Sequence, residues 1–107
     1  MKAQLQITDG PLAGQTVELG RLGSFTIGRQ RANDLSIIEK AVSRKHSRID
    51  YDGELFWLVD CDSHNGTLVN SRKITKCLLY DGDVINIGHS RLVFVMPEEE
   101  PKDTTDL

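Results

Sequence analysis

The chain has 107 residues, 38% of them hydrophobic, and a formal net charge of −3, values typical of a single soluble globular domain. Its apolar runs are only a few residues long, which excludes a membrane span, and its N-terminal stretch lacks the continuous apolar core of a secretory signal. Cys61 and Cys77 match no zinc spacing and cannot form a disulfide framework by themselves. We therefore expect a cytoplasmic protein with both thiols reduced.

Short stretches of alternating or apolar residues recur along residues 1–96. In chain order they are AQLQIT, QTVEL, SFTIG, SRIDY, LFWLVD, TLVN, KCLLY, DVINIG and RLVFVM. Segments rich in Gly, Asn, Asp and Ser separate them; Asp52-Gly53 has the composition of a two-residue hairpin turn, and Asp81-Gly82 similarly separates the strands on either side of it. No segment keeps helical spacing of apolar residues for three turns. The pattern predicts nine or more strands and almost no helix, in a two-sheet sandwich or a barrel.

The charges divide the chain into two parts. Residues 97–107 (PEEEPKDTTDL) carry five acidic residues, one lysine and no apolar residue except Leu107, which predicts an acidic disordered tail behind one domain of residues 1–96. Within the domain, residues 21–48 hold seven cations and only two anions. The seven cations are Arg21, Arg29, Arg31, Lys40, Arg44, Lys45 and Arg48. This local excess indicates an anionic ligand.

Three predicted loops carry polar side chains suited to such a ligand. Arg29 follows Gly28 directly at the end of a strand, Ser43 stands beside Arg44, and Asn65 precedes a glycine in a turn that needs positive φ. An arginine fork, a hydroxyl and a second cation are the donors that a tetrahedral phosphate dianion requires. The sequence therefore predicts a phosphate-binding site built from loops.

The motifs in these loops resemble those of the forkhead-associated (FHA) domain family. They are Gly28-Arg29, Ser43-Arg44-Lys45-His46, Ser63-His64-Asn65-Gly66-Thr67, Asn70 and Gly82-Asp83. The resemblance as a whole covers residues 3–96. The resemblance implies an all-β fold, a two-sheet antiparallel β-sandwich of about eleven short strands, whose loops at one end bind phosphothreonine peptides. It also implies a protein–protein interaction module in signal transduction, with a partner phosphorylated by a Ser/Thr kinase.

The resemblance also implies a role for each candidate contact residue. Arg29 resembles the arginine that grips the phosphate, Ser43 the serine that donates its hydroxyl to it, and Arg44 a further phosphate contact. Asn65 matches the asparagine whose amide holds the peptide backbone. His64 stands where many family members have threonine or a small polar residue contacting the phosphate or the threonine methyl.

A second group of residues is expected to support the site without touching the ligand. His46 resembles a histidine that braces the loops from behind, and the other members are expected to shape the loops. The group consists of Gly28, His46, Gly66, Thr67 and Asn70.

Other classes of function have weaker support in the sequence. Ser43 and His46 suggest a hydrolase pair, but no nucleophile elbow, Walker motif or zincin motif accompanies them, so we expect no enzyme, no catalytic residue and no cofactor. His46, His64 and His89 have no neighbouring pattern of metal ligands, so no metal is expected. Nucleic acid is not expected either, because residues 1–96 carry a net charge of only +1 and the basic loops lack aromatic residues.

Two further interpretations concern partners. The alternative to phosphopeptide binding within the family is a scaffold that binds an unphosphorylated partner, and the joint presence of Arg29, Ser43 and Asn65 argues against it. The chain is expected to be a monomer with no membrane partner. Phosphorylation of Thr104 or Thr105 in the tail would create a ligand for a neighbouring copy and yield oligomers.

Overall fold

The computed structural model describes residues 3–20 and 23–97, and within them the chain forms eleven β-strands and no helix. The strands are β1 (Gln4–Asp9), β2 (Thr16–Glu18), β3 (Ser24–Gly28), β4 (Leu35–Ser36), β5 (Ser47–Tyr51), β6 (Phe56–Asp60), β7 (Thr67–Val69), β8 (Arg72–Ile74), β9 (Lys76–Leu78), β10 (Val84–Ile87) and β11 (Ser90–Val95). The all-β prediction is thus confirmed. A helix of the length and hydropathy needed to cross a membrane is absent from these described ranges. The predicted tail, with Thr104 and Thr105, lies outside the described residues except for Pro97.

The strands form two sheets that pack as a sandwich. The six-stranded sheet has the order β2-β1-β11-β10-β7-β8, and the five-stranded sheet has the order β4-β3-β5-β6-β9. Every pairing between described strands is antiparallel except that of β3 with β4, where Ile27 pairs with Leu35 in parallel register. The predicted two-sheet sandwich of about eleven strands is therefore confirmed, with one short parallel pair at an edge.

Alternation along the strands supplies the core between the sheets. In β1 the inward residues Leu5 and Ile7 are almost fully buried, and in β11 the inward residue Phe94 is fully buried. The Phe94 ring meets Phe56 of the opposite sheet at a centroid distance of 5.6 Å. Full burial of one such side chain contributes about 1.5–3 kcal/mol, so this layer fixes the two sheets against each other and holds the loops at their ends.

Two strands lie outside the predicted stretches, and one predicted turn is wrong. β4 and β8 lie in segments that the alternation did not mark, because both strands are short and largely exposed or polar. Asp52-Gly53 is not a two-residue turn: Tyr51 pairs with Phe56, so four residues form the connection, and Asp52 Oδ1 accepts the N–H groups of Glu54 and Leu55. A turn held by a side chain has replaced the tight hairpin.

The second turn differs in its place in the topology. Asp81-Gly82 lies between β9 and β10, which belong to different sheets, so it crosses the sandwich and does not close a hairpin.

One end of the sandwich collects the loops that carry the candidate residues. Ile27 near the end of β3 pairs with Ser47 at the start of β5, and Ser47 in turn pairs with Asp60 at the end of β6. In the other sheet, Thr67 at the start of β7 pairs with Ile87 at the end of β10. The connections after β3, before β5, between β6 and β7, and between β10 and β11 therefore meet at the same end.

Candidate functional site

Residues 41–44, called the hub below, offer consecutive backbone carbonyls to the neighbouring loops. The Ala41 carbonyl accepts Asn65 Nδ2–H at 2.9 Å, and the Val42 carbonyl accepts Arg29 Nε–H at 3.0 Å. The Ser43 carbonyl accepts the Arg29 main-chain N–H at 2.9 Å. Both the backbone and the guanidinium of Arg29, and the amide of Asn65, are thus oriented by this one segment.

The fourth hub carbonyl, that of Arg44, joins the hub to the loop after β3. It accepts Asn33 Nδ2–H at 2.8 Å and the Gln30 N–H at 3.2 Å. Gly28 permits this approach, because a Cβ at position 28 would lie 2.2 Å from the Arg44 carbonyl oxygen and 2.8 Å from Asn33 Nδ2. No side chain fits there without moving backbone.

His46 connects the hub to the β6–β7 loop. Its ring is fully buried, Nδ1 accepts the Ser43 N–H at 3.0 Å, and Nε2 lies 2.8 Å from the Gly66 carbonyl oxygen. Because Nδ1 accepts, the hydrogen must be on Nε2, and the ring is neutral. Gly66 has a φ of 87°, the conformation that the Asn65-Gly66 pair predicts. The histidine therefore sets the spacing of two loops from within the fold.

The Ser43 hydroxyl bridges the same two loops and keeps a hydrogen to donate. Its Oγ accepts the His64 main-chain N–H at 2.9 Å. Within the described ranges, no acceptor takes the hydroxyl hydrogen of Ser43. The His64 residue is exposed and contacts Ser43 through its backbone. The hydroxyl is thus oriented by one contact and free to make another.

Asp60, the last residue of β6, shapes the loop that carries Asn65. Its Oδ1 accepts the hydroxyls of Ser63 at 2.5 Å and of Thr67 at 2.7 Å, and its Oδ2 accepts the Ser63 N–H at 3.0 Å. Burial by itself would raise the pKa of Asp60, but the hydrogen bonds that its carboxylate accepts from the Ser63 hydroxyl, the Thr67 hydroxyl and the Ser63 N–H outweigh it and hold the pKa below its ordinary value. Ser63 Oγ accepts the Gly66 N–H at 3.0 Å, so the turn is closed from within.

Among the cations of the basic segment that have no ion pair in the described part of the chain, two belong to the hub or are bound by it. Arg29 and Arg44 are exposed, and neither forms an ion pair with a carboxylate in the described part of the chain. Arg48 differs, because its Nε lies 3.0 Å from Asp50 Oδ2, and that pairing raises the pKa of the guanidinium. Positive charge without an anionic partner is therefore carried by the hub itself and by Arg29, whose guanidinium the hub binds.

The structure brings most of the predicted site residues together and leaves one apart. Arg29, Ser43, Asn65 and the His64 backbone are linked through the hub, and Gly28, His46, Gly66 and Thr67 support the same loops. Asn70 lies at the opposite end of β7, where its Nδ2 donates to Asp83 Oδ1 at 2.9 Å and its Oδ1 accepts the Val84 N–H at 3.0 Å. Its hydrogen bonds stabilise that far end of the sandwich, so Asn70 can influence the candidate site only through β7.

Several residues that organise the loops were not among the predicted ones. Asp60 and Ser63 form an aspartate-capped turn. The sequence contains its pattern, an Asp three residues before a Ser, but this pattern is too common in proteins to indicate the turn. Asn33 binds a backbone carbonyl, and no sequence pattern indicates such a partner. The residues that the structure describes contain no group of three or more His, Cys, Asp or Glu side chains suited to hold a metal ion.

Comparison with protein families and curated sequences gives consistent matches. A family model described as FHA domain matches residues 25–88. The FHA domain-containing protein FhaA of Mycobacterium tuberculosis is 41% identical over 92 residues, which cover 86% of this chain and 17% of FhaA. The glycogen accumulation regulator GarA of Mycolicibacterium smegmatis is 36% identical over 93 residues, covering 87% of this chain and 58% of GarA. The chain thus spans less than two thirds of either relative.

Solved structures match over the same region. A structure from a study of phosphothreonine-dependent FHA domain interactions has a TM-score of 0.84 and 37% identity, covering 92% of this chain and 100% of that chain. The FhaA FHA domain complexed with the intracellular domain of Rv3910 has a TM-score of 0.79 and 39% identity, covering 86% and 98%. The MEK1 FHA domain in complex with a HOP1 phosphothreonine peptide has a TM-score of 0.75 and 26% identity, covering 91% and 98%.

Proposed function

Since this chain belongs to the FHA domain family, we propose that it is a phosphothreonine-dependent interaction module that binds its partner through the hub and the loops joined to it. The observation that carries the proposal is the set of unused donors at this end of the sandwich. The Arg29 fork, the free hydrogen of the Ser43 hydroxyl and the Arg44 cation all belong to the hub or to a residue that it binds, and the first two are held by hydrogen bonds to backbone groups. Donors fixed in advance bind a phosphate dianion without a further ordering cost.

Asn65 supplies the contact that orients a peptide. One of its two Nδ2 hydrogens goes to the Ala41 carbonyl, which leaves a second hydrogen and Oδ1 for the backbone beside the phosphothreonine. We assign Arg29, Ser43 and Arg44 to the phosphate and Asn65 to the peptide. His64 lies next to them and is assigned to the rim of the phosphate pocket.

The arrangement of Ser43 and His46 supports binding and not hydrolysis. A general base must face the hydroxyl that it activates, but His46 Nδ1 accepts the main-chain N–H of Ser43 and Nε2 faces the Gly66 carbonyl. The fully buried imidazole therefore has no nitrogen for the Ser43 hydroxyl. We propose an interaction module without catalytic residues, acting as a monomer on a protein phosphorylated by a Ser/Thr kinase.

The experiment that tests the function compares Arg29→Ala with Arg31→Ala. A degenerate phosphothreonine peptide library first selects a binding sequence, whose affinity is then measured by calorimetry against its unphosphorylated and phosphoserine counterparts. For micromolar binding, about −8 kcal/mol, loss of a desolvated charge contact costs about 2–5 kcal/mol, so Arg29→Ala should weaken binding at least about 30-fold. Arg31 is exposed in the same loop and, in the described part of the chain, no hydrogen bond joins its side chain to the hub, so Arg31→Ala makes the same change in net charge without removing a group that the hub orients.

The outcomes separate the candidate functions. Selective loss in Arg29→Ala, with the phosphothreonine peptide preferred over both counterparts, supports the proposal. Equal affinity for the unphosphorylated peptide would instead support a phosphorylation-independent scaffold. Equal weakening in Arg29→Ala and Arg31→Ala would reduce the interaction to a general attraction for anions and overturn the assigned site.

A further inference from the structure

Glu39 joins the segment leading into the hub to the six-stranded sheet. Its Oε1 accepts the His89 main-chain N–H at 2.8 Å, and its Oε2 accepts the Ser90 hydroxyl in a short hydrogen bond. Ser90 is the first residue of β11 and is fully buried. The β10–β11 turn is thus held to residue 39 by a carboxylate that receives two donors.

The backbone of the neighbouring turns approaches Glu39 and Ser90 so closely that two positions leave no room for a Cβ atom. Gly88, in the same turn, has a φ of 60°, and a Cβ there would lie 2.8 Å from Val42 Cγ2 and 3.0 Å from Glu39 Oε1. A Cβ on Gly10 would lie 2.3 Å from Ser90 Oγ. Substitution of either glycine would therefore require movement of the groups that hold Glu39.

Glu39 is also tied to the hub through the main chain. Its carbonyl accepts the Val42 N–H at 3.1 Å, which closes a turn over residues 39–42, and the Val42 side chain is fully buried. On its other side the hub is held by Arg29, by Asn33 and by His46, all from the β3–β5 region. The hub thus spans the two sheets, and Glu39 is the side chain that joins it to the start of β11 in the six-stranded one.

We propose that Glu39 is a positioning residue for the phosphopeptide site: it fixes the hub carbonyls that orient Arg29 and Asn65, without touching the ligand. This inference rests on the proposed function. Removing the carboxylate frees residues 39–42 from β11, so the carbonyls of Ala41 and Val42 no longer keep the guanidinium and the amide in one relative position. The effect therefore reaches both ligand-binding side chains through their shared support.

Charge and geometry make opposite predictions at this position. Loss of a carboxylate near a phosphate site removes repulsion, so a purely electrostatic role predicts tighter binding in every neutral variant. Glu39→Ala and Glu39→Gln change the net charge equally. Only the glutamine keeps an oxygen for the His89 N–H and an amide N–H that the Ser90 hydroxyl can accept.

The test measures phosphothreonine peptide affinity in Glu39→Ala, Glu39→Gln and Asp83→Ala. Asp83 is a matched control because it also receives one main-chain N–H, from Tyr80 at 2.8 Å, and one side-chain donor, from Asn70 at 2.9 Å, but at the opposite end of β10. We expect Glu39→Ala to weaken binding roughly three- to thirty-fold. Glu39→Gln should stay within about threefold of the wild type, and Asp83→Ala should lose stability with its affinity unchanged.

A second experiment needs no ligand, and it tests the proposal even if the Glu39→Ala variant folds poorly. In Ser90→Ala, which keeps the carboxylate, amide hydrogen exchange is measured at Arg29 and Gln30, whose N–H groups donate to the hub carbonyls. Their protection relative to β6 amides should fall about tenfold in Ser90→Ala and in any folded Glu39→Ala, and stay unchanged in Asp83→Ala.

The results decide as follows. Weaker binding in Glu39→Ala with rescue in Glu39→Gln, together with lost protection at Arg29 and Gln30, supports the inference. Unchanged protection, or equally tighter binding in both Glu39 variants, overturns it. If the wild type binds no phosphopeptide from the library, the proposed function is wrong, and the exchange arm alone decides whether Glu39 fixes the hub.

Discussion

At the scale of single residues, the site depends on places where a side chain is missing as much as on those where one is present. Gly28 has no Cβ, and the Arg44 carbonyl occupies the space that a Cβ would need. The same carbonyl binds Asn33 and Gln30, so a displacement at residue 28 would disturb both loops at once. Gly28 is therefore required by a close approach of two backbones.

Gly28→Ala should lower the free energy of unfolding by at least about 1–3 kcal/mol, the usual cost of inserting a methyl group into filled space. Because the nearest obstructing atom is the backbone oxygen of Arg44, the cost belongs at the upper end of that range. Gly20→Ala is the control, since a Cβ at position 20 meets nothing within 4 Å. Urea denaturation of both variants checks the prediction, and a loss of similar size in the two would contradict the steric explanation.

The sequence indicated the types of residue at the site better than their partners. Glycine before Arg29 and glycine after Asn65 marked the special backbone positions, since glycine has a recognisable reason to be there. The hub was not predictable in the same way, because every residue has a carbonyl and only the folded chain shows which carbonyls receive donors. Glu39 and Asn33 act on such backbone partners, and for this reason the residue pattern did not single them out.

At the scale of elements, the end of β6 is where a strand becomes the loop that carries Asn65. Asp60 receives three hydrogen bonds from Ser63 and Thr67, and these hold its pKa below the ordinary value of 3.8 despite burial. A carboxyl group with a lowered pKa stabilises the fold above its ordinary pKa, and this contribution is lost as pH falls through the lower folded value. The β6–β7 loop is thus predicted to be acid-sensitive.

Asp60→Asn should therefore reduce stability at neutral pH and make the decline of stability below about pH 4 shallower. Asp62→Asn, which removes one exposed carboxylate from the same loop, gives a chain of equal net charge for comparison. Denaturant titrations between pH 2 and 7 measure how steeply the free energy of unfolding falls with pH. Asp52 also contributes to this slope, because hydrogen bonds from the Leu55 N–H, the Trp57 indole and the Glu54 N–H lower its pKa. An acid slope in Asp60→Asn as steep as in the wild type would be evidence against this role.

The strands differ in how far the alternation of apolar residues revealed them. Nine strands have an apolar stretch that the sequence marks; β11 has a buried residue at every second position, and β1 does so as far as Ile7. β8 contains Arg72 and Lys73, so it has no apolar alternation to recognise. The turn before it has positive φ values of 50° at Asn70 and 71° at Ser71, but it contains no glycine that would mark it as a hairpin turn. β4 has only two residues and pairs in parallel with β3, too short for any period to appear.

At the scale of the whole molecule, the net negative charge of the chain repels the anionic phosphopeptide that we propose as its ligand. The loops at the hub end carry excess cations, but residues 97–107 bring the formal net charge of the chain to −3. A phosphopeptide therefore meets a local attraction and a general repulsion. Since exposed charges are screened over about 10 Å in 0.1 M salt, the two effects are separable by ionic strength.

Replacing Glu98, Glu99 and Glu100 together by glutamine brings the formal net charge to zero. We expect phosphopeptide association to become a few-fold faster at 10 mM salt, where the Debye length is about 30 Å, and to equal the wild type at 1 M salt, where it is about 3 Å. Lys102→Gln changes the charge of the same segment in the opposite direction and should slow association. Stopped-flow association rates test this, and a gain that persists at 1 M salt would point to a specific contact.

The order of strands in the two sheets has a consequence for crowded surroundings. The outer strands β2, β8, β4 and β9 have three, three, two and three residues, so each open edge offers only a few unpaired backbone groups. Long, flat edges act as templates on which another chain adds a strand, the first step towards aggregation, whereas such short ones give an incoming strand too little to bond to. These sandwiches can therefore be present at high local concentration, or be strung together in one polypeptide, without merging their sheets.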